Sequence, residues 1–314
     1  MNSFGENWTF TSFGESHGAA IGGVLDGVPA GLTIDLAMIR EELDRRAGRN
    51  VQDTKGMGVS PRAVREPDEV EWLSGILNGV TLGTPIAFLI RNRDARPEDY
   101  EWLKHNYRVG HADKTYEIKY GIRDWRGGGR ASARETAARV VAGCIAKQQL
   151  ADKGISIHAE LIQVGAEKDA SKFADTIASY QREGDSIGGI VECVISGLPA
   201  GTGEPIFNKL QAELAFSILS INACKGFEYG TGFGGVTQPG SAINAISGGI
   251  AGGISDGTDI VFRCVFKPTA TTPITIQKDN AQGTKVGRHD ACVAVRAVPV
   301  VEAMTALTLV NLCA

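Results

Sequence analysis

The chain has 314 residues, with 32 Lys and Arg against 36 Asp and Glu and a net charge of −4. That balance gives no general attraction for nucleic acid or an anionic membrane, so an acidic ligand has to be caught by a local basic cluster. The six cysteines form no CxxC pair, which signals neither a zinc site nor a redox motif, and the 40 glycines are nearly twice the usual share, so many tight turns are expected, some lining a site.

The N-terminus, MNSFGENWTF, has no basic region followed by an apolar stretch, and no apolar run reaches the roughly 18 residues of a membrane span. A cytoplasmic protein with free, mostly buried thiols is expected. Residues 7–13 and 19–26 alternate as strands. Residues 35–46 place Leu36, Ile39 and Leu43 on one helical face. Residues 84–91 read as a buried strand and 98–105 as a short helix. A long helix is expected from about Ser132, where Ser132 and Glu135 have the capping-box spacing before an apolar run. Residues 155–164, 188–196 and 258–266 read as strands, with Asp256-Gly257 as a hairpin-turn pair before the last of them. Residues 299–313 read as a final apolar helix. No low-complexity linker divides the chain, so residues 1–314 are taken as one domain. One string echoes another: GGVLDGVPAG (Gly22 to Gly31) and ECVISGLPAG (Glu192 to Gly201) each run from a strand pattern into Gly-apolar-Pro-Ala-Gly and then a helix pattern. The echo points to a duplicated unit with a pseudo-twofold relation, against the alternative of two similar turns.

Three of the five histidines lie in glycine-containing turns: His17 in GESHG, His111 in RVGHAD and His289 in GRHDAC. Histidine suits proton transfer near neutral pH, and small neighbours around His17 and His111 leave room for a ligand. His105 and His158 are read as ordinary polar residues. No HxH or HExxH spacing points to a metal. Arg123, Arg126, Arg130 and Arg134 crowd into GIRDWRGGGRASARE, with Gly127, Gly128 and Gly129 just before the expected helix. Backbone N–H groups, the positive end of a helix and arginine forks together make an anion site. Arg45, Arg46 and Arg49 form a second cluster at the end of the 35–46 helix, where the helix dipole alone would also favour cations. Gly230, Gly232 and Gly235 match GxGxxG, but no helical period follows, so a nicotinamide-binding oxidoreductase is the weaker reading.

Seven strings spread over nearly the whole chain, in one order, resemble the chorismate synthase family: SFGESHG, HADKTYEIKYGIRDWRGGGRASARETAARV, EGDSIGG, SINACKGFEYG, GGIAGGISDG, FKPTATT and GRHDACVAVRAVPVVEAM. The resemblance implies an α+β fold. This is a β-α-β sandwich with helices between antiparallel sheets and an internal pseudo-twofold, assembled as a homotetramer. It implies a lyase that uses reduced FMN for a 1,4-anti elimination of phosphate from 5-enolpyruvylshikimate 3-phosphate, giving chorismate, with NADPH acting only as a flavin reductant. No nucleic acid or membrane partner is implied. His17 resembles the histidine beside the departing phosphate, Ser16 a member of the proton relay, and His111 the histidine that protonates the reduced flavin. Arg46, Arg134 and Arg288 match anion contacts to the substrate. Arg130, Ala131, Ser132, Asn222, Ala223, Gly252, Lys267, Pro268, Thr269, Ala270, Thr271 and Arg288 match the flavin-binding segments.

The chain also departs from the family pattern. Val109 and Ala291 stand where the family has prolines, and Ala131 stands where serine is commoner. Residues 47–65 do not follow the usual pattern, the stretch from Phe233 to Gly248 is shorter than the family's loop, and no residue matches the family's C-terminal aspartate. Residues 47–65 and 234–247 are the expected covers of the site. A relative that holds flavin and anions without turnover is the third reading.

Overall fold

A computed structural model describes residues 1–49, 65–243, 248–278 and 290–313. Two antiparallel sheets enclose the central helices. Sheet one holds β1 (Ser3–Phe4), β2 (Thr9–Phe13), β3 (Ala20–Asp26), β4 (Val70–Trp72) and β5 (Ile86–Arg91), in the order β1-β2-β3-β5-β4. Sheet two holds β6 (Ser156–Val164), β7 (Gly189–Ser196), β8 (Cys224–Tyr229) and β9 (Ile260–Phe266), in the order β8-β9-β7-β6. Strand β7 alternates strictly between buried and half-buried residues, as a strand with one face on the core must.

The described α-helices of eight or more residues are α1 (Leu36–Ala47), α2 (Asp113–Tyr120), α3 (Thr136–Asp152), α4 (Phe173–Arg182), α5 (Leu210–Leu219) and α6 (Ala294–Leu312). Helix α3 lies on sheet one, α6 lies on sheet two, and the two pack on each other. Both are apolar nearly all round, which is stable only for helices enclosed by neighbours. They approach so closely that a Cβ on Gly143 would lie 2.4 Å from Cα of Ala303. Helix α6 is long and apolar enough to cross a membrane, contrary to the expectation that no segment would be. It is the buried core helix of sheet two. It begins five residues before the expected start, with Pro299 inside it.

The echo between the two halves extends well beyond the matching strings. Gly27 and Gly197 both have positive φ, 85° and 78°, and a Cβ on either would strike a backbone carbonyl, that of Asn7 or of Gly154. Gly31 N–H donates to Thr81 O and Gly201 N–H to Ser255 O, both at 2.9 Å. The hydroxyls of Thr81 and Ser255 donate to the carbonyls of Pro29 and Pro199, both at 2.6 Å. Ile21 pairs with Ile90 and Leu25 with Ile86, just as Val191 pairs with Cys264 and Ile195 with Ile260. Strands β2, β3, β4 and β5 therefore correspond to β6, β7, β8 and β9, and α1 and α3 correspond to α5 and α6. This is the pseudo-twofold.

Residues Pro97–Lys104 form the short helix expected at 98–105, wound as a 3₁₀ helix. Two local expectations change. Asp256-Gly257 does form a turn, with Asp256 Oδ1 accepting from Thr258 N–H, but it joins a two-residue ladder to β9 and does not close a hairpin. Ser132 caps through Arg134 N–H at 3.3 Å, while the Glu135 carboxylate accepts from Arg139 instead of closing a capping box. The α-helix begins at Thr136, so Arg130 and Arg134 lie in successive 3₁₀ turns and do not share a helical face.

Candidate active site

The turn between β2 and β3 presents Ser16 and His17, both buried. Ser16 Oγ lies 2.9 Å from His17 Nδ1 and within 3.4 Å of the carbonyls of Arg126 and Gly127. Carbonyls only accept, so when Ser16 donates to either one, His17 Nδ1 donates to Ser16. The Tyr100 ring packs edge-on against the imidazole, with centroids 4.8 Å apart.

Gly127, Gly128 and Gly129 all have positive φ, which L side chains rarely adopt. Their backbone threads between the two histidines. A Cβ on Gly127 would lie 2.1 Å from His17 Nδ1, and one on Gly128 would lie 2.6 Å from His111 Cε1.

His111 precedes α2. Its Nδ1 lies 2.9 Å from Asp113 Oδ1 and 3.1 Å from Arg108 Nη2. One ring nitrogen cannot donate and accept at once, so the carboxylate fixes the proton on Nδ1. Arg108 forks onto Asp113, with Nε to Oδ2 at 2.8 Å and Nη2 to Oδ1 at 2.7 Å. Burial pushes the Asp113 carboxyl up, but Arg108 and His111 outweigh it and hold the group well below the usual range.

The arginines divide into two sets. Arg130 donates to Ser12 Oγ at 2.7 Å and to Gly14 O at 3.3 Å, bracing the strand that leads into the Ser16-His17 turn. Arg134 donates through Nε to Asn92 Oδ1 at 3.0 Å and through Nη1 to Asp68. Arg46 is wholly buried behind it, donating to Thr136 Oγ1 at 3.0 Å and Ala133 O at 2.6 Å, with Nη1 3.8 Å from Asp68. Burial, with Arg296 nearby, pulls the Arg46 guanidinium down to about 9, so it is still charged at neutral pH. Helix α1 delivers Arg46: Asp35 Oδ1 caps its start by accepting from Ala37 and Met38 N–H, and Gly48 ends it with φ of 73°. Asp68 is held low despite its burial by the charges of Arg134 and Arg46.

The second half closes the ring. Asn222 Nδ2 donates to Ala131 O at 3.2 Å. Ala223, at a left-handed φ of 67°, accepts from Lys267 N–H at 3.0 Å. Lys267 Nζ donates to Gly110 O at 2.8 Å, and Gly110 lies against Ala270. Ser186 Oγ donates to Thr269 O at 2.8 Å. A continuous path of contacts thus links Ser16, His17, the glycine triplet, His111, Gly110, Lys267, Ala223, Asn222 and Ala131. Among the described residues, three buried polar atoms on or beside this ring have no hydrogen-bond partner: Arg134 Nη2, Asn222 Oδ1 and Thr269 Oγ1.

Gly252 is not brought to this ring. Its hairpin docks on Thr202 and Pro199, beyond the end of β9 opposite Lys267. Arg288, and residues 50–64 and 244–247 of the two expected covers, lie outside the described residues. In GTGFGG, residues Gly232–Thr237 form a 3₁₀ turn, and the Glu228 carboxylate takes the Phe233 N–H, so no helix N-terminus is offered to a pyrophosphate. Asn92, Asp68, Arg108, Asp113 and Tyr100 were not among the expected residues. Only Arg108 and Asp113, flanking His111 in RVGHAD, carried a local signal.

The family model described as chorismate synthase matches residues 8–314. Chorismate synthase of Christiangramia forsetii is 48% identical, with 99% of this chain and 96% of that protein covered. The Bacteroides thetaiotaomicron enzyme is 47% identical, with 99% and 97% covered. The first alignment runs over 350 positions against a chain of 314, so at least 36 positions of that relative have no counterpart here. A solved structure described as chorismate synthase matches with a TM-score of 0.75 and 29% identity, covering 98% of this chain and 92% of that one. The chain belongs to the chorismate synthase family, the carbon–oxygen lyases that form chorismate in the shikimate pathway.

Proposed function

We propose that the ring of contacts is where this chain carries out the 1,4-anti elimination of phosphate from 5-enolpyruvylshikimate 3-phosphate, with reduced FMN bound beside the substrate. The observation that carries this reading is the set of three unpartnered buried polar atoms, Arg134 Nη2, Asn222 Oδ1 and Thr269 Oγ1. Each unmet buried group costs about 1–3 kcal/mol, which a bound polar ligand recovers. The residues that would hold a phosphorylated flavin are Arg130, Ala131, Ser132, Asn222, Ala223, Lys267, Pro268, Thr269, Ala270 and Thr271, with Arg288. Bound reduced FMN would lend electron density to the reacting system and recover it, leaving no net redox change.

The chain's own groups handle the anions and the protons, with Ser16 the relay member that passes on the proton lost from the substrate carbon as the carbon–oxygen bond to phosphate breaks. His17 gives a proton from Nε2 to the departing phosphate oxygen, while Ser16 keeps Nδ1 engaged. Arg134, steadied by Asn92 and Asp68, offers Nη2 to an anionic group of the substrate. Arg46 acts from behind, sharing Asp68 with Arg134. His111 holds a proton at Nδ1 against Asp113 Oδ1, which fixes the orientation of its ring. The reading also includes a homotetramer in the cytoplasm, with NADPH only as an external source of electrons for the flavin.

The test is an anaerobic assay with chemically reduced FMN, following chorismate and phosphate together. Both should appear in equal amounts, and oxidised FMN without reductant should support neither. FMN should raise the melting temperature where NAD does not. His17→Ala and His111→Ala should each lower kcat by about 10²–10⁴-fold. Steady turnover with oxidised flavin alone would refute the cofactor assignment. FMN binding without phosphate release would identify a flavin-holding relative instead.

A further inference from the structure

Asn92 follows β5 and sits between the two parts of the site. Its Nδ2 donates to Glu15 O and to Gly18 O, each at 2.9 Å, so one amide group spans the turn that carries Ser16 and His17. Its Oδ1 accepts from Arg134 Nε at 3.0 Å. Its own N–H donates to Ala19 O at 3.1 Å, fixing the backbone from which the side chain reaches. The chemistry on the two sides is opposite. Two carbonyls need a donor, and a guanidinium needs an acceptor. A side-chain amide presents two N–H donors and a separate acceptor oxygen, and the surroundings leave a single orientation of it. An aspartate would face two carbonyls with lone pairs, and a lysine would face a guanidinium with another cation.

We infer that Asn92 is the positioning residue that sets the distance and angle between the His17 imidazole and Arg134. It thereby aligns the proton donor with the anion it serves. Asn92 touches neither reacting atom in this account. It acts through the turn and through the guanidinium. An error of about 1 Å between such groups costs on the order of 10²-fold in rate, so a single amide is enough to decide turnover. The inference rests on the roles given above to His17 and Arg134.

Three variants separate the possibilities. Asn92→Asp keeps the acceptor for Arg134 and removes the donors to the turn. It should lower kcat by about 10²-fold while the substrate KM moves by less than about threefold. In the protein without flavin, the histidine NMR titration of His17 should shift in this variant and that of His111 should not. Asn92→Ala frees both sides, so kcat should fall and KM should rise together. Asn92→Gln carries the same amide on a longer stem and should recover more kcat than Asn92→Asp at equal melting temperature. Wild-type turnover in Asn92→Asp, in a protein whose His17→Ala variant is inactive, would overturn this inference and leave the site assignment standing. An active His17→Ala would overturn the site assignment itself. If Asn92→Asp does not fold, Asn92→Gln decides. A Gln variant that folds, leaves the His17 titration unchanged and turns over no better than Asn92→Ala would show that the amide does not position the histidine.

Discussion

Gly127 and His17 are in contact through a space that admits no side chain: a Cβ on the glycine would lie 2.1 Å from the imidazole Nδ1 and 2.9 Å from Ser16 Oγ. Gly127→Ala should therefore displace His17, and a backbone φ of 60° adds strain of roughly 1–2 kcal/mol for an L residue. Gly128→Ala should displace His111 and Arg108 in the same way. The expected result is a kcat loss of about 10²-fold in each with a small fall in melting temperature. Normal kcat in Gly127→Ala would mean that the turn relaxes without moving the histidine.

The buried carboxylates predict an acid limit to stability. Burial raises Asp68 and Glu302, but Arg134 and Arg46 around the first, and Arg45 and Lys147 around the second, prevail and hold both low. A depressed folded value means the stabilisation is complete above the unfolded value near ~4 and fades as pH falls below it. The melting temperature should be level from about pH 7 to 5 and drop below about pH 4. Asp68→Asn should be less stable at pH 7 by about 3–5 kcal/mol, because it leaves buried guanidinium groups without their counter-charge, and its acid slope should be shallower. An unchanged slope would remove Asp68 from the account.

Arg134 and Arg130 are separable by ligand. Arg134 carries an unpartnered Nη2, whereas Arg130 braces Ser12 and Gly14. Arg134→Ala should weaken substrate binding more than flavin binding, and Arg130→Ala should do more harm to FMN. Calorimetric titration of each ligand into each variant checks this. Equal losses for both ligands would indicate a general electrostatic effect.

Gly143 sets the contact between the two central helices. Alanine is better than glycine in a helix by about 1 kcal/mol. Here the added methyl meets backbone and Cβ of Ala303 at 2.4–2.6 Å, atoms that cannot rotate away. Overpacking of that kind costs about 1–3 kcal/mol, so Gly143→Ala should lower the melting temperature in spite of the better propensity. A rise would show that the helices can part without cost.

Much of the frame was legible because its strands alternate and its helices have apolar periods. The 84–91 and 188–196 strands lie within two residues of β5 and β7, and the Gly-apolar-Pro-Ala-Gly echo marks two units of the same topology. The edge strands β4 and β8 went unread because neither buries a residue on one face only, which leaves no alternation to see, and β4 is also only three residues long. Helices α2, α4 and α5 have no counterpart among the expected elements. Helix α2 is mostly polar, α5 is a short apolar run that periodicity cannot tell from a strand, and α4 buries only Phe173 and Ile177. At the site, histidines among glycines and a crowd of arginines announce themselves in one dimension. Asn92 and Asp68 do not. Their partners are 42 to 77 residues away for Asn92 and 66 for the Arg134 contact of Asp68, and a lone polar residue beside a strand has no pattern.

The repeated frame has two matching corners. At one, the turn before β3 carries Ser16 and His17 and the residue after β5 is Asn92. At the other, the segment before β7 carries Ser186 and the residue after β9 is Lys267. Equivalent positions of the two halves therefore carry unlike side chains, so a frame with twofold symmetry presents a different set of groups at each of its two corners.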